Sequence, residues 1–152
     1  MRSTLNCLLV SCALLSPWVA LAAALPADGG DPGKAYRACL EAVAKPSKVG
    51  IVDLCFAKND PWLAGKNLDY FDDRTFVVEV RQVYGALQLV DVAISGGQLS
   101  GDQAVLQVAG KRLLQRQEPT GDIVEVSRSP AKGTVSMVKA ANGWRPSRSD
   151  LH

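Results

Sequence analysis

Few side chains in this sequence have the type and spacing that chemistry needs. Asp91 is flanked by Leu89, Val90 and Val92, and a carboxylate among apolar neighbours resists ionisation and can act as a base on a small apolar substrate. Tyr36, Tyr70 and Tyr84 are the available phenol donors. The sole histidine is His152, at the end of the sequence, where ordering is weakest. The sequence contains no Gly-x-Ser-x-Gly elbow, phosphate-binding glycine loop, His-Glu-x-x-His helix or Cys/His triad. Asp53 and the pair Asp72-Asp73 read as solvated or helix-capping residues rather than cation ligands, so no metal and no cofactor is expected. The alternative reading of Asp91 is a solvent-facing strand position with no proton to move.

The cysteines are read through the start of the chain. After Arg2 comes an apolar run, Leu5 to Val19, closed by Ala20-Leu21-Ala22-Ala23-Ala24. That pattern predicts a secretory signal peptide over residues 1–24, cut after Ala22 or Ala24, with a flexible start over 25–31. Pro17 and the lack of a basic cluster after the run argue against a transmembrane span. Leu9-Val10-Ser11-Cys12 has a lipobox pattern, but too few residues precede it for an ordinary apolar core, so a soluble periplasmic product is preferred over a lipoprotein anchored at Cys12. Export leaves Cys39 and Cys55, and two cysteines in an oxidising compartment suggest a disulfide, the alternative being two buried thiols. Loss of Arg2 from 17 basic residues leaves 16 against 15 acidic ones. That balance provides no electrostatic footprint for nucleic acid or an anionic membrane.

The elements that must position these residues follow from periodicity. Asp31-Pro32 predicts an N-cap with proline at the first helical position, and Tyr36, Cys39, Leu40 and Val43 share a face. Ser47 caps a second helix with Ile51, Val52, Cys55 and Phe56 on its apolar stripe, so that a bridge would staple a helical hairpin. Residues 61–73 read as irregular with room for a short turn or helix, and their Trp62, Leu68, Tyr70 and Phe71 read first as a plug for one end of the core, with a recognition surface as the alternative. Thr75 to Leu87 is ambiguous: Phe76, Val77, Val80, Val83, Tyr84 and Leu87 match a helical template capped by Asp72 or Asp73, while Phe76, Val78 and Val80 against Glu79 and Arg81 suit a strand, and the longer stripe favours the helix. Beyond Leu87 the period is two: a strand to Ser95, a turn from Gly96-Gly97 to Gly101, then a strand from Gln103 that can continue to Gln117. A strand over 122–128, an interruption at 129–133, a strand over 134–140 and an Asn142-Gly143 hairpin before Trp144 complete the chain. Trp144 is expected in the core. Helices first and consecutive antiparallel strands after them predict one α+β domain over 32–152, its N-terminal helices packed on a curved antiparallel sheet of about four to five strands.

This order, ending in Gly133-Thr134-Val135-Ser136-Met137-Val138-Lys139 and Asn142-Gly143-Trp144-Arg145-Pro146, resembles small exported members of the nuclear-transport-factor-2-like superfamily. The resemblance implies helices wrapping a strongly bent sheet into a cone whose mouth hosts a ligand, an active site or a partner, and one fold there serves many functions. Lacking a catalytic set, the chain is expected to be a non-catalytic periplasmic binding protein acting on a protein partner, of the inhibitor or immunity-protein type, such as one that neutralises an envelope-acting toxin. Trp62, Tyr70, Phe71 and Tyr84 are the expected partner- or ligand-binding residues. Two alternatives remain: a carrier or sensor of a small apolar ligand held in the cone, and a small isomerase- or dehydratase-like enzyme using Asp91.

Overall fold

The computed structural model describes residues 21–152; the apolar leader, with Cys7 and Cys12, lies outside the described residues apart from Leu21 to Ala24. The chain forms β1 (Ala23–Leu25), α1 (Gly30–Ala44), α2 (Lys48–Cys55), α3 (Pro61–Ala64), α4 (Asp73–Val83), β2 (Leu89–Ser100), β3 (Gln103–Gln117), β4 (Ile123–Ala140) and β5 (Gly143–Leu151). Single 3-10 turns lie at Leu68–Tyr70 and Gly85–Gln88. The sheet is five-stranded and antiparallel in the order β1-β2-β3-β4-β5. The fold class is therefore α+β, with helices packed on a curved sheet.

Several local expectations change. Residues 25–31, read as flexible, are tied down: Leu25 pairs with Gly97, and the Gly29 amide donates to Pro26 O at 2.8 Å. The cap of α1 is Gly29 rather than Asp31. Its φ of 78° is left-handed, a conformation glycine adopts without cost, so the helix starts at Gly30 with Asp31 inside the first turn. Ser47 caps α2 as expected, accepting from the Gly50 amide. Helix α4 stops at Val83, short of Leu87, because Gly85 opens a 3-10 turn that carries Leu87 into the core by another route. Asp72 is its cap, accepting from the Arg74 and Thr75 amides, and Asp73 instead accepts from the Lys48 amide.

The strands are longer than the alternation indicates, because irregularities break the period of two. Opposite single residues of β3, β2 carries an extra residue between Val90 and Ala93 and another between Ile94 and Gly97. Leu89, Val92, Ile94 and Leu99 can then all face the core. Gly96 and Gly97 thus belong to a bulged strand and not to a turn; a side chain on Gly97 would drive into the Val105 carbonyl. The 129–133 interruption is also absent. Lys132 and His152 exchange backbone bonds at 2.9 Å on the β5 side of β4, and β5 ends there, so the missing N–H of Pro130 falls on an open edge. The same exchange orders the backbone of His152, against expectation.

Two apolar clusters meet along α1. One joins Tyr36 to the inner face of the sheet, including Ala104, Leu106, Val135 and Met137. The other joins Cys39, Val43, Ile51, Cys55, Phe76 and Val80 within the helical layer. Trp144 is half-buried and packs against the sheet cluster; its neighbour Arg145 is the residue carried inside, 9% exposed. Cys39 and Cys55 are bridged with Cα atoms 5.0 Å apart, which staples α1 to α2. The sequence separation of 16 closes a loop for which chain entropy gives about 3 kcal/mol. Reduction, or the Cys39→Ser/Cys55→Ser pair, should lower unfolding stability by about that amount in a urea titration; an unmoved midpoint would contradict it.

Candidate functional site

Three hollows follow one another along the seam between the helical layer and the sheet, neighbouring ones bordered by common residues, and are together called the groove below. The first, about 290 Å³, lies between α1 and β2 and includes Arg37, Leu40 and Val92. It shares Ala44, Arg81 and Val90 with the second, about 300 Å³, whose walls are Val43, Val77, Val78, Leu113 and Ile123. Val78 is common to the second and the third, about 470 Å³, which runs past Gln82 and Arg116 to Phe71 and Tyr70.

Arg81 lies at the centre of this groove and is only 7% exposed. Its Nε donates to Leu87 O at 3.2 Å and its Nη1 to Gln115 Oε1. No carboxylate pairs with it among the described residues. Burial, and secondarily the charge of Arg128, lower its pKa. The acids along the groove are held elsewhere: Glu41 by Lys45 at 2.7 Å, Glu79 by Lys66 at 2.7 Å, and Asp72 by the α4 amides it caps. Thr75, first through its amide and then its hydroxyl, holds the Asp72 carboxyl below the usual range.

Asp91 lines the α1 end of the groove but stands at its rim. Its φ of 54° turns it out of the strand at the first irregularity of β2, its side chain is 62% exposed, and Lys111 Nζ lies 3.1 Å from its carboxylate. The desolvated setting that base chemistry requires is absent there. Tyr36 is not aimed at it either: its hydroxyl is buried and donates to Ala86 O at 2.6 Å.

The four aromatic positions separate into two kinds. Trp62 stacks on Phe56 with ring centres 5.6 Å apart, meets Tyr84 edge-on at 5.7 Å, and lies under Lys66 Nζ at 4.9 Å. Phe71 meets Phe76 at 5.9 Å. These rings close one end of the helical cluster, and Tyr84 also borders a separate hollow of about 230 Å³ beside Phe56 and Arg148. Tyr70 stands apart, 85% exposed. It is held out by its 3-10 turn, in which Asn67 accepts from the Asp69 amide and Lys48 Nζ donates to Leu68 O and Phe71 O at 2.8 Å each.

Sequence reasoning missed Arg81. Its signal is its place on α4: it follows Val77 by four residues and Val78 by three, so it must share a face with core valines. Among the described residues no group of three or more His, Cys, Asp and Glu side chains could hold a metal ion, and no helix is long and apolar enough to cross a membrane. No protein-family model matches the chain, and no curated protein matches it in sequence.

The phenols generate a pH prediction. Burial first, then the charge of Asp60 and the bond from the Tyr84 hydroxyl to Asp60 Oδ1 at 3.3 Å, push the Tyr84 pKa up to about 12 from 10.0. Burial pushes Tyr36 further up. Between those values Tyr84 is protonated in the fold and ionised in the unfolded chain. Its contribution is thus complete below pH 10 and is lost as pH rises through about 12. Phenolate absorbance should show Tyr84 and Tyr36 ionising late, together with falling stability over that range. Ionisation of Tyr36 and Tyr84 near pH 10.0 in the folded protein would contradict this.

Proposed function

We propose that this chain is an exported, non-catalytic binding protein that acts on a protein partner, in the manner of an inhibitor or immunity protein, and that the groove receives an extended segment of that partner. The observation that carries this reading is the succession of three hollows along one seam, the last of them beside the displayed Tyr70 ring. An enclosed pocket suits a compact small molecule; a long open groove with an aromatic at one end suits a peptide chain, and aromatic anchors concentrate binding energy at interfaces. The disulfide and the apolar leader support export to the periplasm. The pairing of Ala23 with Leu99 supports the cut after Ala22, which keeps β1 whole. The curved sheet with helices on one face supports kinship with the nuclear-transport-factor-2-like superfamily.

A photo-crosslinking amino acid placed at Tyr70, and separately at the exposed Gln107 on β3, tests the reading in the native host. Position 70 should capture a protein that position 107 does not. Tyr70→Ala should then weaken binding of that protein by about 2 kcal/mol with the unfolding midpoint unchanged, and Asp91→Asn should change neither. Loss of the biological effect in Asp91→Asn, with partner binding and stability preserved, would overturn the reading in favour of an enzyme.

A further inference from the structure

Among the described residues two arginines are buried, and their different surroundings are informative. Arg145 donates through Nε, Nη1 and Nη2 to the carbonyls of Phe56, Trp144, Asp53 and Asn142, so each of its nitrogens has an acceptor. Arg81 is buried to a similar degree, but only Nε and Nη1 are engaged; among the described residues Nη2 has no protein acceptor, and it keeps contact with solvent. A guanidinium in a protein is costly unless its charge and its N–H groups are matched. At Arg145 the protein supplies the match. At Arg81 no carboxylate does, and Nη2 stays open to water or to a group that displaces it.

The surroundings select the chemistry of that occupant. Walls of Val43, Val77, Val78, Leu113 and Ile123 favour an apolar body. Arg74 lines the same hollow and forms no ion pair among the described residues. Gln115 Oε1 already accepts from Nη1, so the remaining hydrogens of Nη1 and Nη2 offer a short edge suited to one planar carboxylate. A phosphate dianion would demand more donors.

We propose that the hollow over Arg81 is a carboxylate subsite that receives an acidic side chain, flanked by apolar residues, from the partner's extended segment. This rests on the partner reading above and adds the chemistry by which the segment is recognised. Arg81 reads the charge, and the valine walls take the neighbouring side chains.

Nuclear magnetic resonance titration of the oxidised protein, labelled at arginine Nε, tests it. The probes are a blocked peptide acetyl-Ser-Val-Leu-Glu-Leu-Val-Ser-amide, the same peptide with glutamine replacing glutamate, octanoate and octanamide. The glutamate peptide should move the Arg81 resonance and bind about tenfold or more tightly than its glutamine counterpart. Arg81→Met should erase that preference. If Arg81→Met fails to fold, Gln115→Glu provides an internal carboxylate to Arg81 and should erase the preference with the fold retained. Equal affinity of the two peptides, or an Arg81 resonance unmoved by any carboxylate at millimolar concentration, would overturn the proposal. A response to octanoate but not to octanamide or either peptide would support the carboxylate subsite and overturn the partner segment as its occupant.

Discussion

A guanidinium inside a protein must find acceptors, and Arg145 finds them on two elements far apart in sequence. Its bonds to Asp53 O at 2.7 Å and Phe56 O at 3.1 Å meet the C-terminal end of α2, where carbonyls lack helical partners and carry partial negative charge. Its bonds to Asn142 O and Trp144 O hold the turn between β4 and β5. Asn142 Nδ2 adds a second bond to Phe56 O at 3.1 Å. Burial lowers the pKa of Arg145, and the charge of Asp53 opposes that shift. One residue away from this junction, the Cys39–Cys55 bridge fixes α2 to α1. Helix, disulfide and terminal hairpin thus form one unit, against which α4 packs through Phe76, Val77 and Val80.

The groove lies beside that unit. Helix α4 packs on α2 and on β3, and its Val77, Val78 and Arg81 line the hollow that Leu113 and Gln115 of β3 complete. Arg81 also organises the connection from α4 to β2: its Nε donates to Leu87 O, and its own carbonyl accepts from Gln88 Nε2 at 2.7 Å. A residue that closes the fold at this joint therefore also presents its remaining donors to the groove. In the proposed reading stability and recognition would share one side chain, which is why Gln115→Glu separates the two better than removal of Arg81.

The α+β class, the capped helix α2, helix α4 and the final hairpin were legible because each rests on local patterns: Ser47 before an apolar stripe, valines at helical spacing, Asn142-Gly143 after alternating residues. The bridge was legible from cysteine placement in the two helices. Gly96-Gly97 and Pro130 misled because turn chemistry is local, whereas a bulge and an open strand edge are properties of the neighbouring strand. For Asp91 the solvent-facing strand position is the reading that holds, because the extra residue in β2 turns it outward. Arg81 and Arg145 were illegible for a related reason. A charged residue on an apolar face is ordinarily taken for solvated surface, and only tertiary packing shows that both are enclosed. Trp62 and Tyr70, close in sequence, differ because the Asp60-capped turn folds the first inward and Lys48 holds the second out.

If Arg145 joins α2 to the terminal hairpin as one cooperative unit, native-state hydrogen exchange on the oxidised Arg145→Met variant will reveal it. The α2 amides and those at the start of β5 should lose protection by about a hundredfold more than amides in the paired centre of β3 and β4, as the helix end detaches while the sheet persists. Protection lost uniformly, or retained throughout α2, would show that Arg145 does not join them.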